Sequence, residues 1–328
     1  MIVTEVLDGI PVDDSIREIQ RDEKLLHIWP ESEPLKIWRK FEPLGVISLP
    51  MHHVPGPFAP PQGVFRSDYI HIEYQKMNGR QPFYHRNTDA DEITYQAFGK
   101  RTVLTELGSA DYAIGDMARI PVGVAHDNYA QEDVHIIFYI PQGVLENVVP
   151  YRSTEYLMPP FPGWEAKESG SIEFITEHLS EIGTDCSTFY TDEQMLLDNA
   201  KTQPERMAFV RSSVSGSLEW LYKGENVWLG IQNFENSDGK VYTRHRMADE
   251  LQIQTMGKRT LITQRGTLQI EPGDFVSIPL GCAFTSVAHE ANGYISVLMR
   301  YPAIPKKQFT KMAEPTTEET LIQARKQC

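Results

Sequence analysis

The chain has 328 residues, with 45 acidic against 31 basic side chains, a formal charge of −14 and no basic block to offset it. That balance excludes generic binding to nucleic-acid phosphates or anionic lipid, and no apolar run approaches the eighteen residues a membrane span needs. Three scattered cysteines, Cys186, Cys282 and Cys328, offer neither a disulfide framework nor a zinc-thiolate spacing.

The N-terminus has acidic residues where a secretory signal carries a basic start and an apolar stretch, so a cytoplasmic protein is expected. Aspartates preceding "SIREIQRDEKLL" predict a capped helix over 13–26. A tract rich in aromatics and proline follows over 50–84 and contains His52, His53 and His71. An imidazole there is a candidate acid or base for a substrate hydroxyl, because it titrates near neutral pH.

The segment "FYHRNTDADE" at 83–92 gathers a histidine, an amide and three carboxylates. In an extended strand alternate residues share a face, so His85 and Asn87 point the same way, while Tyr84 and Arg86 point the other. Asp89, Ala90 and Asp91 read as a turn with solvated aspartates before Glu92.

From Gly99 the chain repeats itself. "GKRTVLTELGSADYAIGDMARIPVGVAH" (99–126) matches "GKRTLITQRGTLQIEPGDFVSIPLGCAF" (257–284) at twelve of 28 positions, without a gap and at a constant offset of 158. Both copies are short β-branched or aromatic stretches broken by Gly, Gly-Asp and Pro-x-Gly turns, a pattern of all-β sandwiches and barrels. The shared "GKRT" (Lys100 and Arg101, Lys258 and Arg259) reads as a strand-edge or turn feature. Between the copies, the proline-rich stretch 146–170 is a junction. Helical pieces are expected at 171–181, at 191–201 and in the tail from 313. The domains expected are 1–150, an N-terminal extension with the first barrel; 151–204, a linker with short helices; and 205–328, the second barrel and tail.

The first copy reads H-x-N-x4-E-x6-G from His85 to Gly99, then G-x5-P-x-G-x2-H from Gly115 to His126. This resembles the two-part signature of the cupins, small antiparallel barrels of jelly-roll type. The resemblance covers both copies and implies a bicupin: an all-β chain of two tandem jelly-roll barrels, with helices only at the N-terminus, the linker and the C-terminus. "YHRN" followed by a glutamate further resembles the iron-binding segment of the homogentisate 1,2-dioxygenase family, whose members open aromatic rings with non-haem iron(II). Carried over, the resemblance implies His85, Glu92 and His126 as metal ligands. It also implies a homo-oligomer, since bicupins extend one barrel's sheet with strands from a neighbour.

Two imidazoles and one carboxylate on one side of a cation leave its other positions open, an arrangement suited to Fe(II) that binds both a substrate and dioxygen. Asn87 is either a weak further ligand or a donor that orients one. The expected activity is ring cleavage of a small hydroxylated aromatic of homogentisate, gentisate or hydroquinone type. A non-oxidative isomerase, lyase or decarboxylase with Mn, Ni or Zn as Lewis acid is the alternative, and a non-catalytic binding cupin the third. At the 158-residue offset the second copy keeps Glu250 for Glu92 and has His245 for Asn87. It has Thr243 for His85 and Phe284 for His126, so it reads as a degenerate site; His289 restores a ligand only with a register shift.

Overall fold

The computed structural model describes residues 1–8, 16–28, 41–141, 143–146, 148–179, 185–212 and 215–326. It is an all-β fold of two tandem jelly-roll barrels with a few short helices.

The first barrel is one curled sheet of twelve strands. Its spine is a pair of 16-residue strands, Ala90–Thr105 and His126–Pro141, flanked by Ile70–Arg80 and Gln62–Ser67 on one side and Met117–Ile120 on the other. Two strands this long close a barrel only if both bend, and Gly99 is the corner. It has φ +70, and a Cβ there would meet the Glu132 carbonyl oxygen at 2.2 Å. Gly257 repeats the corner in the second barrel, with φ +69 and a Cβ that would meet the Ala291 oxygen at 2.2 Å. The "GKRT" repeat therefore marks a bend. It is not an edge feature throughout: Arg101 and Arg259 are fully buried, their guanidinium groups over the Tyr112 and Tyr294 rings at 4.2 and 4.3 Å.

In the second barrel the strands break at the corner and form two sheets. One holds Val241–His245, Phe284–Ala288, Arg259–Thr263 and Gly266–Ile270; the other holds Leu218–Lys223, Val227–Phe234, Asn292–Met299, Asp249–Met256 and Asp274–Ile278. The main core lies between the barrels, where Ile136 and Phe138 of the first share a cluster with Ile253, Ile295 and Val297 of the second. Strands buried on both faces explain why "VHIIFYI" and "YISVLM" read as nearly unbroken apolar runs.

The barrels exchange pieces of chain. The hairpin Ile2–Asp8 with Arg17–Asp22 pairs in parallel with Val241–His245 of the second barrel, Glu5 opposite Tyr242. The hairpin Ser171–Thr176 with Asp185–Thr191 pairs in parallel with Tyr84–Asn87 of the first, Glu173 opposite Tyr84. A short helix follows each, Glu23–His27 capped by Asp22 and Glu193–Asp198 capped by Asp192. The exchange continues beyond the hairpins, for Gly45–Ser48 pairs with Asp274–Ile278 and Ala208–Val210 with Met117–Ile120.

The fastenings are duplicated as well. Glu5 takes hydrogen bonds from Arg21 and Arg244, and Glu173 takes one from Arg86 at 2.7 Å. Glu23 accepts from the Tyr242 hydroxyl at 2.7 Å, and Glu193 accepts from the Tyr84 hydroxyl and from Arg80. Arg86 is thus a clamp on the incoming hairpin, and Tyr84 its buried neighbour.

Two expected helices are strands. Residues 171–176 are a strand: Ser171 and Glu173 are buried on either side of the exposed Ile172, an alternation that Arg86 makes tolerable by pairing with Glu173; residues 180 and 181 of the expected helix lie outside the described residues. Residues 17–22 form the outer strand of the N-terminal hairpin, and only Glu23–His27 is helical; residues 13–15 lie outside the described residues. Helix at 193–198 with a 3-10 turn to 201, and helix at Glu318–Lys326, agree with the sequence reading. Among the described residues no helix is long and apolar enough to cross a membrane.

Candidate metal centre

Strand Tyr84–Asn87 carries His85, the following strand starts Ala90–Asp91–Glu92, and His126 opens the strand after the Pro121–Gly123 turn. Pairing brings the three together: His126 lies opposite both His85 and Thr105, and Glu92 opposite Tyr139 further along the same strand. One donor atom from each of His85, Glu92 and His126 falls within 4.8 Å of the others, and no other such group occurs among the described residues.

Electrostatics prepare the donors. Burial, with His126 adding to it, holds the His85 imidazole down at about 4, which keeps it neutral. Burial alone would raise the Glu92 carboxyl, but His126, then His85 and Arg101, pull it below its usual range. For His126, burial is outweighed by Glu92, whose Oε2 lies 3.1 Å from its Nε2, and the imidazole rises. His126 Nδ1 faces the Val124 carbonyl at 3.3 Å, a contact that turns Nε2 toward the other two donors.

Asn87 is fully buried beside them. Its Nδ2 donates to Glu92 Oε2 at 3.3 Å, while its Oδ1 has no partner. The turn before Glu92 differs from expectation because its aspartates are not solvated. Asp91 is buried and accepts from Val122 N–H at 2.8 Å, and Asp89 accepts from the His178 and Leu179 N–H groups at 2.8 and 2.7 Å. Asp89 thereby pins the end of the exchanged hairpin against the site.

The three donors open into a cavity of about 530 Å³. His71 lines it, with Nε2 3.3 Å from Glu73 Oε1. His52 and His53 do not; they lie in the segment before it, His52 exposed and His53 half-buried. Two lining histidines went unmarked in the sequence. His135 is buried with Nδ1 2.6 Å from Asp133 Oδ2. His178 stacks on Tyr139, ring centroids 3.5 Å apart and 10° from parallel, and stands edge-on to His85 at 5.3 Å. Burial and then His85 hold His178 down at about 2. The remaining wall is aromatic: Phe83 meets Phe174 at 4.8 Å and Phe58 at 6.3 Å, both edge to face.

In the second barrel Glu250 is buried and surrounded by partners. Its carboxylate faces His245 Nε2 at 2.7 Å and accepts from Ser296 Oγ at 2.7 Å and Gln252 Nε2 at 3.0 Å. Phe284 stands 5.7 Å from His245, and His289 is turned away to the Ala324 carbonyl at 3.0 Å.

No family model matches the chain, and no curated protein does. Solved structures with a related fold include a cupin 2 conserved barrel domain protein from Leptotrichia buccalis, 10% identical over 75% of this chain and 92% of that one, TM-score 0.45. The oxalate decarboxylase of Bacillus subtilis, described with Mn(II) centres, is 12% identical over 82% and 81%, TM-score 0.45. AerE from Microcystis aeruginosa is 8% identical over 76% and 99%, TM-score 0.42. Likeness at this level carries no inference about activity.

Proposed function

We propose that the protein is a metal-dependent enzyme whose reaction runs in the first barrel, with His85, Glu92 and His126 holding one divalent ion. The observation that carries this reading is the convergence of the three donors at the head of the cavity. The set fits such an ion chemically, since a buried carboxylate, a buried imidazole and a half-buried one bring a donor atom each within 4.8 Å of the others. A bound ion would supply Lewis acidity and, if it is Fe(II), a route for electrons between an organic substrate and dioxygen.

The protein's own groups do the rest. Asn87 holds Glu92 in place, Asp89 fixes the hairpin that brings His178, and the phenylalanine wall excludes water from the face of a flat guest.

Two reaction courses divide this class. The first is ring opening of a small hydroxylated aromatic with Fe(II) and dioxygen, supported by three protein donors that leave positions open and by the aromatic lining. The second is non-oxidative, an isomerase, lyase or decarboxylase with Mn, Ni or Zn. It asks less of the site, needing one Lewis acid and one proton carrier. Glu73 supports it: burial and then Glu92 push this lining carboxyl up to about 7, so it holds or gives up a proton near neutrality.

Metal analysis of protein purified without added metal, then anaerobic loading with Fe(II) and oxygen-uptake assays on hydroquinones and hydroxybenzoates, tests the proposal. Uptake stoichiometric with product assigns the oxidative course. Turnover without uptake, supported by Mn, Ni or Zn, assigns the other. A chain that takes up no metal overturns both.

A further inference from the structure

The exchanged hairpin delivers a histidine to the metal centre. His178 lies just past the strand Ser171–Thr176 and lines the same cavity as His85, Glu92 and His126. Three contacts fix it there. Asp89 accepts from its backbone N–H at 2.8 Å, its ring stacks on Tyr139 with centroids 3.5 Å apart, and it stands edge-on to His85 at 5.3 Å. Yet its Nε2 is sealed from solvent and has no hydrogen-bond partner among the described residues. A buried polar atom left unfilled costs stability, so packing alone does not account for a histidine here; an apolar ring would fill the place without that cost.

The second barrel provides the comparison. The two hairpins dock in the same register, Glu173 opposite Tyr84 and Glu5 opposite Tyr242. Counted from those glutamates, the position of His178 falls on Ile10 in the N-terminal segment, which lies outside the described residues. Tyr139 stands opposite Glu92, and its counterpart opposite Glu250 is Leu298. Asp89 has Met247 at the 158-residue offset. The imidazole, its stacking platform and its fastening thus all occur where the donor set is complete, and all give way to apolar side chains where it is not. A histidine that served the fold alone would have no reason to accompany the donors.

We infer that His178 is a substrate-contacting residue, whose Nε2 hydrogen-bonds an oxygen function of the substrate when that substrate sits on the ion. The inference rests on the metal-site reading. It makes the working site a composite, with three donors from the first barrel and one hydrogen-bonding group from the hairpin that docks on it.

The test is titration of Co(II)-loaded full-length protein with 4-nitrocatechol, a coloured oxygen ligand of divalent ions, followed by visible absorption. Co(II) affinity and the urea midpoint of the metal-free chain are measured beside it. His178→Phe keeps a ring on Tyr139 and removes both nitrogens. It is expected to bind Co(II) within about twofold of the wild type but 4-nitrocatechol at least about tenfold more weakly, the worth of one hydrogen bond to a charged group. Its urea midpoint should not fall. His178→Gln, which restores a polar side chain, is expected to recover part of the lost ligand affinity. If His178→Phe does not fold, His178→Ala takes its place with His178→Gln as the rescue. Three results overturn the inference alone: Co(II) uptake without 4-nitrocatechol binding, an unchanged 4-nitrocatechol affinity in His178→Phe, and a parallel loss of Co(II) and 4-nitrocatechol binding, the sign of a structural part only. Wild-type protein that takes up no Co(II) overturns the metal reading and the inference with it.

Discussion

Glu92 and Glu250 occupy the same place in the two barrels and lead opposite lives. Ile137 stands beside Thr94 in the first barrel where Ser296 stands beside Gln252 in the second, and that exchange, with Phe284 for His126, decides which carboxylate is available. Glu250 already has His245, Ser296 and Gln252 as partners; Glu92 has His126, Asn87 and an open side.

Metal binding should therefore be confined to the first barrel. Glu92→Gln or His126→Ala is expected to weaken divalent-ion affinity by more than about 100-fold, beyond the range typical of outer-shell changes, whereas Glu250→Gln leaves one ion per chain. Elemental analysis after dialysis against a weak chelator reads both.

Asn87 acts on the ion through Glu92. Asn87→Ala should cost about 10 to 100-fold in metal affinity without altering stoichiometry, and Asn87→Asp should cost less, because a carboxylate beside the cation answers its positive charge. Competition titration with a fluorescent zinc chelator measures the difference.

Arg86 should matter to stability. Arg86→Ala strands the buried Glu173 carboxylate, and since the arginine side chain is about a quarter exposed, a loss of roughly 2–3 kcal/mol is expected, below the 3–5 of a fully buried broken pair. Urea denaturation gives the value, and Arg244→Ala should cost less, because Arg21 still pairs with Glu5 at 2.8 Å.

His27 sets a pH dependence far from the metal centre. It lies 3.0 Å from the Tyr242 hydroxyl, and burial holds it down at about 4 against an ordinary 6.5. The unfolded chain binds its proton first, so its contribution is full above about pH 6.5 and is lost as pH falls toward 4, at up to about 1.4 kcal/mol per pH unit. His27→Gln should flatten the slope of urea midpoints between pH 6.5 and 4.5; an unchanged slope would assign the effect to other buried histidines.

The repeat and the barrel class were legible in local spacing, and the grouping of His85, Glu92 and His126 through the family resemblance of the two motifs that carry them. Gly99 and Gly257 were visible as glycines, but their role as corners depends on carbonyls contributed by a neighbouring strand. Arg101 was read as part of a strand edge or turn because "GKRT" occurs in both copies; its burial is arranged by Tyr112 and Asn128, which come from other strands. The hairpin exchange left no local trace. Its parallel pairings join Glu173 to Tyr84 and Glu5 to Tyr242 across long stretches of chain, and the charged strand Arg17–Asp22 matches a helix in composition. His178 was missed for the same reason, since nothing near "TEHLSE" reveals that it ends beside His85.

The crossed hairpins bind the fates of the two halves. Phe174 and His178, which line the cavity of the first barrel, come from the stretch that follows that barrel in sequence. Changes in that stretch can therefore reshape the cavity without touching a single donor atom.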